Sequence, residues 1–132
     1  NTILRKGCLM ITGEDLDEMG YYTAYHNKEL TLNLYQDKAV KTAIYPHTAQ
    51  ITYPAMGLAN EAGEVLGKVK KIVRDGTFNR SDIIDELGDV LWYAAALARD
   101  LDVTLSEVAS INLNKLEDRA KRGVLKGSGD KR

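Results

Sequence analysis

The chain has 132 residues, a formal net charge of −1 and a single cysteine. That length matches one domain of about 100 to 150 residues, long enough to bury a core, and near-neutral charge of mixed sign supplies no overall field for nucleic acid or an anionic membrane. Cys8 excludes an internal disulfide and suits a reducing compartment, no apolar run approaches the ~20 residues of a membrane span, and the residues after Asn1 lack a secretory pattern. The expectation is a cytoplasmic protein in which Cys8 is an inert small hydrophobe.

Residues 1–28 read as an arm that periodicity leaves open between a strand, a packed segment and a helix; they hold the apolar run Cys8 to Ile11 and the cluster Tyr21, Tyr22 and Tyr25. From Thr31, a plausible cap, Leu32, Tyr35, Ala39 and Ala43 form the stripe of a first helix that ends near Tyr45 and Pro46. A second helix spans Tyr53 to Arg74, with Met56, Leu58, Ala59, Ala62, Leu66, Val69 and Ile72 or Val73 on its buried face, and Asp75-Gly76 stops it. Ser81 or Asp82 caps the third, whose stripe is Ile84, Leu87, Leu91, Ala94 or Ala95 and Ala98. Thr104 with Glu107 has the pattern of a capping box and opens a fourth helix through Val108, Ile111, Leu113, Leu116 and Ala120 to about Arg122. The remainder, 123–132, is a Gly- and Lys-rich tail expected to be mobile. The organisation is thus an arm over 1–28, a helical domain over 29–122 and the tail, in an all-α fold.

Four acids carry the chemistry. Glu61 and Glu64 stand three apart on the second helix, and Glu86 and Asp89 three apart on the third, so each pair shares a face. A solvated face is the bland explanation of one such pair. Two pairs on successive helices, each interleaved with the apolar stripe, fit that explanation poorly, because exposed charge is normally excluded there. Carboxylates meeting across a helix pair repel and raise one another's pKa unless a cation lies between them. Oxygen-only donors suit magnesium or manganese better than zinc or copper. Gly57, Gly63, Gly67 and Gly88 add to the signal, since glycine inside a helix costs about 1 kcal/mol relative to alanine and is usually kept for close approach.

Three segments also carry a family resemblance. Gly57-Leu58-Ala59-Asn60-Glu61-Ala62-Gly63-Glu64, Asp85-Glu86-Leu87-Gly88-Asp89-Val90-Leu91-Trp92-Tyr93 and Asn112-Leu113-Asn114-Lys115-Leu116-Glu117-Asp118-Arg119 resemble the signature blocks of MazG-like nucleotide pyrophosphohydrolases, in particular the small single-domain bacterial and phage members. The position before Glu61, often a second glutamate in that family, is Asn60. The resemblance implies a four-helix bundle assembling as a dimer or tetramer, which cleaves nucleoside triphosphates between the α and β phosphorus to a monophosphate and pyrophosphate. It implies that Glu61, Glu64, Glu86 and Asp89 are the catalytic metal ligands for two or three Mg2+ or Mn2+ ions, with Glu64 orienting or deprotonating the water. Asn112, Lys115 and Arg119, one turn apart in succession, and Lys126 in the tail are the expected phosphate contacts, the tail closing over the phosphates; Lys68, Lys71 and Arg74 are reserves. For the base, Asn33, Gln36 and Trp92, with Tyr93 and Tyr45, are the candidates and dGTP the expected substrate, with dUTP, dCTP and phosphoribosyl-ATP as alternatives. No nucleic acid or membrane partner is expected.

Two other classes compete. A di-iron bundle would use Glu-x-x-His pairs, but His26 and His47 stand outside both acid blocks. A non-enzymatic helical interaction module would explain the amphipathic stripes, with the acids as solvated decoration.

Overall fold

The computed structural model describes residues 29–126. The expected arm, with Cys8 and His26, and tail residues 127–132 lie outside them. The described residues from Thr31 onward belong to one compact unit, whose regular elements are all helical: α1 (Leu32–Ala39), a 3₁₀ turn (Val40–Thr42), a second 3₁₀ turn (His47–Ala49), α2 (Thr52–Asp75), α3 (Arg80–Asp100) and α4 (Leu105–Lys121). No helix among the described residues is long and apolar enough to cross a membrane.

Local chemistry explains where each helix begins and ends. Thr31 caps α1 as expected, its hydroxyl accepting from the Leu34 amide at 3.1 Å. The helix stops at Ala39 instead of running to Ile44, because side chains claim the Ala39 carbonyl: Thr42 Oγ1 donates to it at 2.7 Å and Trp92 Nε1 at 3.1 Å. The Ala43 amide then turns to Val40 O, and the last turn tightens to 3₁₀. Helix α2 ends where Asp75-Gly76 predicts, with Gly76 at φ 70° and its amide on Ile72 O at 2.8 Å. Asn79, rather than Ser81 or Asp82, caps α3, accepting from the Ser81 amide at 3.2 Å and the Ser81 hydroxyl at 2.7 Å. The capping box of α4 is complete: the Glu107 amide reaches Thr104 Oγ1 at 3.1 Å and the Thr104 amide reaches Glu107 Oε2 at 2.7 Å.

Helices α2 and α3 pack most extensively on one another, while α1 lies against α3 and α4. Among the described residues, Ala95, Ala98 and Leu105 form a buried cluster flanked by Tyr35, Ala94 and Val103. Alanines at the α3 contact bring backbones close. Much of the expected apolar stripe is not buried within this unit. Met56 and Leu66 of α2 are 61% and 68% exposed, and Val73, Leu87, Ile111 and Leu113 are exposed as well. Their spacing describes a face that the helices present, not one that they close among themselves.

Candidate metal centre

The α2–α3 pair is held in a simple register. Along α2 the positions 57, 61, 64 and 68 advance by four, three and four residues; along α3 the positions 93, 89, 86 and 82 retreat by the same steps. Both sets lie on single helix faces, and the four-residue connection over 76–79 makes the helices antiparallel neighbours. Gly57 therefore meets Tyr93, and a Cβ at 57 would run into the phenol ring. Glu61 meets Asp89 and Lys68 meets Asp82. Of the four helix glycines that the sequence marks for close approach, only Gly57 serves it; Gly63, Gly67 and Gly88 have open space where a Cβ would stand.

At the centre of this seam Glu61, Glu86 and Asp89 each offer a carboxylate oxygen, all within 4.8 Å of one another. Opposite oxygens around a magnesium ion span about 4.2 Å, twice its ligand distance, so small side-chain adjustments fit the triplet to a hard divalent cation. Glu64 stands outside the triplet and is exposed. Lys68 Nζ lies 3.2 Å from Glu86 Oε1 and 3.9 Å from Asp82 Oδ2. Its pKa is raised chiefly by the hydrogen bond to Glu86, with Asp82 and Glu64 adding to it. Asn60 Nδ2 donates to Glu61 Oε1 at 3.4 Å, a long bond.

Aromatic residues wall the space beside Glu61. A cleft of about 310 Å3 is lined by Tyr53, Met56, Gly57, Asn60, Glu61 and Tyr93. Tyr45 stacks on Tyr53 with ring centroids 5.0 Å apart, Tyr53 lies 6.3 Å from Tyr93, and Trp92 meets Tyr93 edge-on at 4.9 Å. Burial, followed by neighbouring Tyr53 and the charges of Glu61 and Asp89, pushes the Tyr93 phenol above its ordinary pKa. Burial and then Asp89 do the same to Tyr35. Both phenols stay protonated at neutral pH beside the acids.

This wall hangs on a second polar cluster. The Asp100 side chain is fully enclosed and accepts from Tyr45 Oη at 2.8 Å, the Ile51 amide at 2.9 Å and the Arg99 guanidinium at 2.9 and 3.1 Å. Arg99 also donates to Tyr45 Oη. Ile51 has φ 64° and ψ −52°, and the Thr52 amide bonds to Gln50 O at 2.6 Å. That is a γ-turn on a β-branched residue, a conformation costing about 1 to 3 kcal/mol. Asp100 holds the turn in place just before Tyr53.

Of the base candidates of the sequence, Tyr93 lines this cleft and Tyr45 stacks on its wall, whereas the polar groups of Gln36, Trp92 and Asn33 bond to other parts of the chain. Gln36 is buried and donates to Ala95 O at 3.3 Å and Val103 O at 3.1 Å while accepting from the Leu105 amide at 2.9 Å. Its amide ties α1 to α3 and α4 and does not face a ligand. The Trp92 indole N–H is committed to Ala39 O and, at 2.8 Å, to Thr42 Oγ1. Asn33 accepts from the Ser106 amide at 3.2 Å and lines a groove between α1 and α4 with Thr104, Glu107 and Asn114, none of them among the four acids. On α4, Asn112 and Lys115 are exposed but Arg119, on the same face by spacing, is 7% exposed. Lys126 is exposed. Tyr53 and Asn60 went unmarked as site residues. The mirrored four-three-four spacing was the signal that could have found Lys68, Asp82 and the Gly57–Tyr93 contact.

The sequence pattern of the MazG nucleotide pyrophosphohydrolase domain matches residues 52–124, which takes in α2, α3, α4 and all four acids. A protein of Mycobacterium phage L5, described as Gene 37 protein, is 51% identical over 112 residues, covering 76% of this chain and 98% of that protein. No solved structure matches the chain.

Proposed function

The chain belongs to the MazG nucleotide pyrophosphohydrolase domain family, and from that premise we propose that it hydrolyses deoxynucleoside triphosphates, dGTP foremost, to the monophosphate and pyrophosphate. The observation that carries the reading is the Glu61, Glu86 and Asp89 triplet inside the matched domain. In the reaction one water adds, the oxygen bridging the α and β phosphorus leaves with pyrophosphate, and the water's proton must be accepted. Mg2+ or Mn2+, two or three per site, would neutralise charge growing on the phosphate oxygens and acidify the water. Glu61, Glu86 and Asp89 are the ligands, with Glu64 as fourth ligand or as the base that orients and deprotonates the water; its position outside the triplet supports the second role. Lys115, Asn112, Arg119 and Lys126 remain the phosphate contacts in this reading. The nucleoside enters the cleft of Tyr53, Met56 and Tyr93, where a ring can stack, and the Asn60 amide offers both a donor and an acceptor to a guanine edge.

The bare apolar residues Leu66, Leu87, Ile111 and Leu113 support assembly as a homodimer or homotetramer, since single-chain domains seldom leave so much of an apolar face in water. Light scattering should give at least twice the chain mass; a monomer at working concentration sinks the assembly. The reaction is tested by incubating the protein with Mg2+ and a panel of ribo- and deoxynucleoside triphosphates, including dUTP. Pyrophosphate with a nucleoside monophosphate is expected, fastest from dGTP. Preference for a pyrimidine would remove the guanine assignment, and release of orthophosphate would remove the reaction.

A further inference from the structure

We infer that Lys68 is a tethered counter-ion sharing Glu86 with the divalent cation, so that the empty site takes metal weakly and loads it together with the triphosphate; this rests on the metal reading above.

The same register that opposes Glu61 to Asp89 opposes Lys68 to Asp82, with Glu86 between the two ends. Glu86 belongs to both. One of its oxygens is within 4.8 Å of those of Glu61 and Asp89, and its Oε1 is 3.2 Å from the Lys68 ammonium. Neither partner is freely solvated, the Lys68 and Glu86 side chains being 27% and 18% exposed. A carboxylate so placed is asked to serve a fixed single positive charge and an incoming double one a few ångströms apart. These repel with an energy that falls only as the reciprocal of distance and is weakly screened at such a half-buried site. Lys68 thus stabilises the acid seam when no cation is bound and opposes the cation when it arrives.

The triphosphate reverses this opposition. Its oxygens give the ammonium an anion other than Glu86, and the flexible four-carbon stem lets Lys68 turn to it without moving α2. Freed from Lys68, Glu86 becomes a better metal ligand. Metal and nucleotide then bind with positive coupling, and by linkage each tightens the other by the same factor. Lys68 therefore sets the order of loading, a role that a residue serving only to stabilise the α2–α3 pair would not have.

The test follows Mn2+ binding by calorimetry or by the paramagnetic resonance of free Mn2+. The wild-type chain, Lys68→Met and Lys68→Arg are compared, first without nucleotide and then with a non-hydrolysable triphosphate analogue. In the absence of nucleotide Lys68→Met should bind Mn2+ on the order of tenfold more tightly than wild type, and it should lose most of the tightening that the analogue confers. Lys68→Arg, which keeps the charge, should stay near wild type, and Lys68→Gln serves in the same comparison if the methionine variant does not fold. Unchanged or weaker Mn2+ affinity in Lys68→Met, with wild type binding normally, overturns the counter-ion role and leaves the metal site standing. If neither protein binds Mn2+ with or without the analogue, the metal reading falls and this inference with it.

Discussion

Helix α3 contributes to two groups of carboxylates, one enclosed at its C-terminal end around Asp100 and one half-exposed midway along it around Glu86 and Asp89, and the chain treats them oppositely. Around Asp100 each acceptor has its donor: a tyrosine hydroxyl, a backbone amide and a guanidinium converge on one enclosed side chain, and nearby Gln36 is likewise satisfied at both ends of its amide. Around Glu61, Glu86 and Asp89 three carboxylates come together and, among the described residues, receive the Lys68 ammonium and a long bond from Asn60. Buried charge is tolerated when it is paired and costly when it is not. At the Asp100 end the chain supplies the compensation itself. Around the three acids the described residues supply less compensation, and the matched spacing on α2 and α3 brings these acids together through the register of the helices.

The comparison breaks most visibly where one of these acids is neutralised. Glu61→Gln and Asp89→Asn should each lower kcat/KM for dGTP by about a hundredfold or more, the scale expected when a group stabilising transition-state charge is lost. Neither should lower thermal stability without metal, and relief of carboxylate repulsion should raise it slightly. Pyrophosphate release with a thermal melt checks both halves. Near-normal turnover in either variant would return these acids to surface decoration.

How much of this was legible beforehand varies with the kind of interaction. Helix existence was readable because it rests on local signals: Thr31, Gly76 and the Thr104–Glu107 box each act within four residues. The early end of α1 was not, because Trp92, about fifty residues away in the chain, donates to the Ala39 carbonyl. The acid pairs were legible from helical spacing, but that only Glu61, Glu86 and Asp89 converge depends on the antiparallel register, which periodicity on each helix alone does not fix. Gln36 misled because an amide on a polar-looking segment reads the same whether it meets a base or the carbonyls of a neighbouring helix. Apolar periodicity placed Leu66 and Leu87 on buried stripes, yet they and Ile111 are exposed, because spacing along one helix does not say whether a neighbouring element covers its apolar face. Ile51 carried no signal at all, since its left-handed turn contradicts the preference of a β-branched residue and is stabilised by Asp100 from another helix.

That last contact gives the smaller and complementary effect. Burial raises the Asp100 pKa, but the Ile51 amide, Arg99 and Tyr45 outweigh it and hold the carboxyl below its usual range. A carboxyl depressed in the folded state contributes stability above its unfolded pKa and loses that contribution as the pH falls through the folded value. Asp100→Asn keeps the shape and removes the charge, so at neutral pH it should cost about 1 to 3 kcal/mol, the scale of a lost charge-assisted network, and lower Tm by several degrees. The gap between variant and wild type should narrow as the pH is taken down through and below the ordinary aspartate range, because the wild type gives up its advantage there. Mn2+ affinity should be unchanged, since Asp100 touches none of the acids of the triplet. Melts over a pH series, with Mn2+ titrations at neutral pH, separate the two clusters. A Tm gap that does not depend on pH would mean that the variant loses hydrogen-bond acceptance rather than the carboxylate charge, and a fall in metal affinity would mean that the two regions are one.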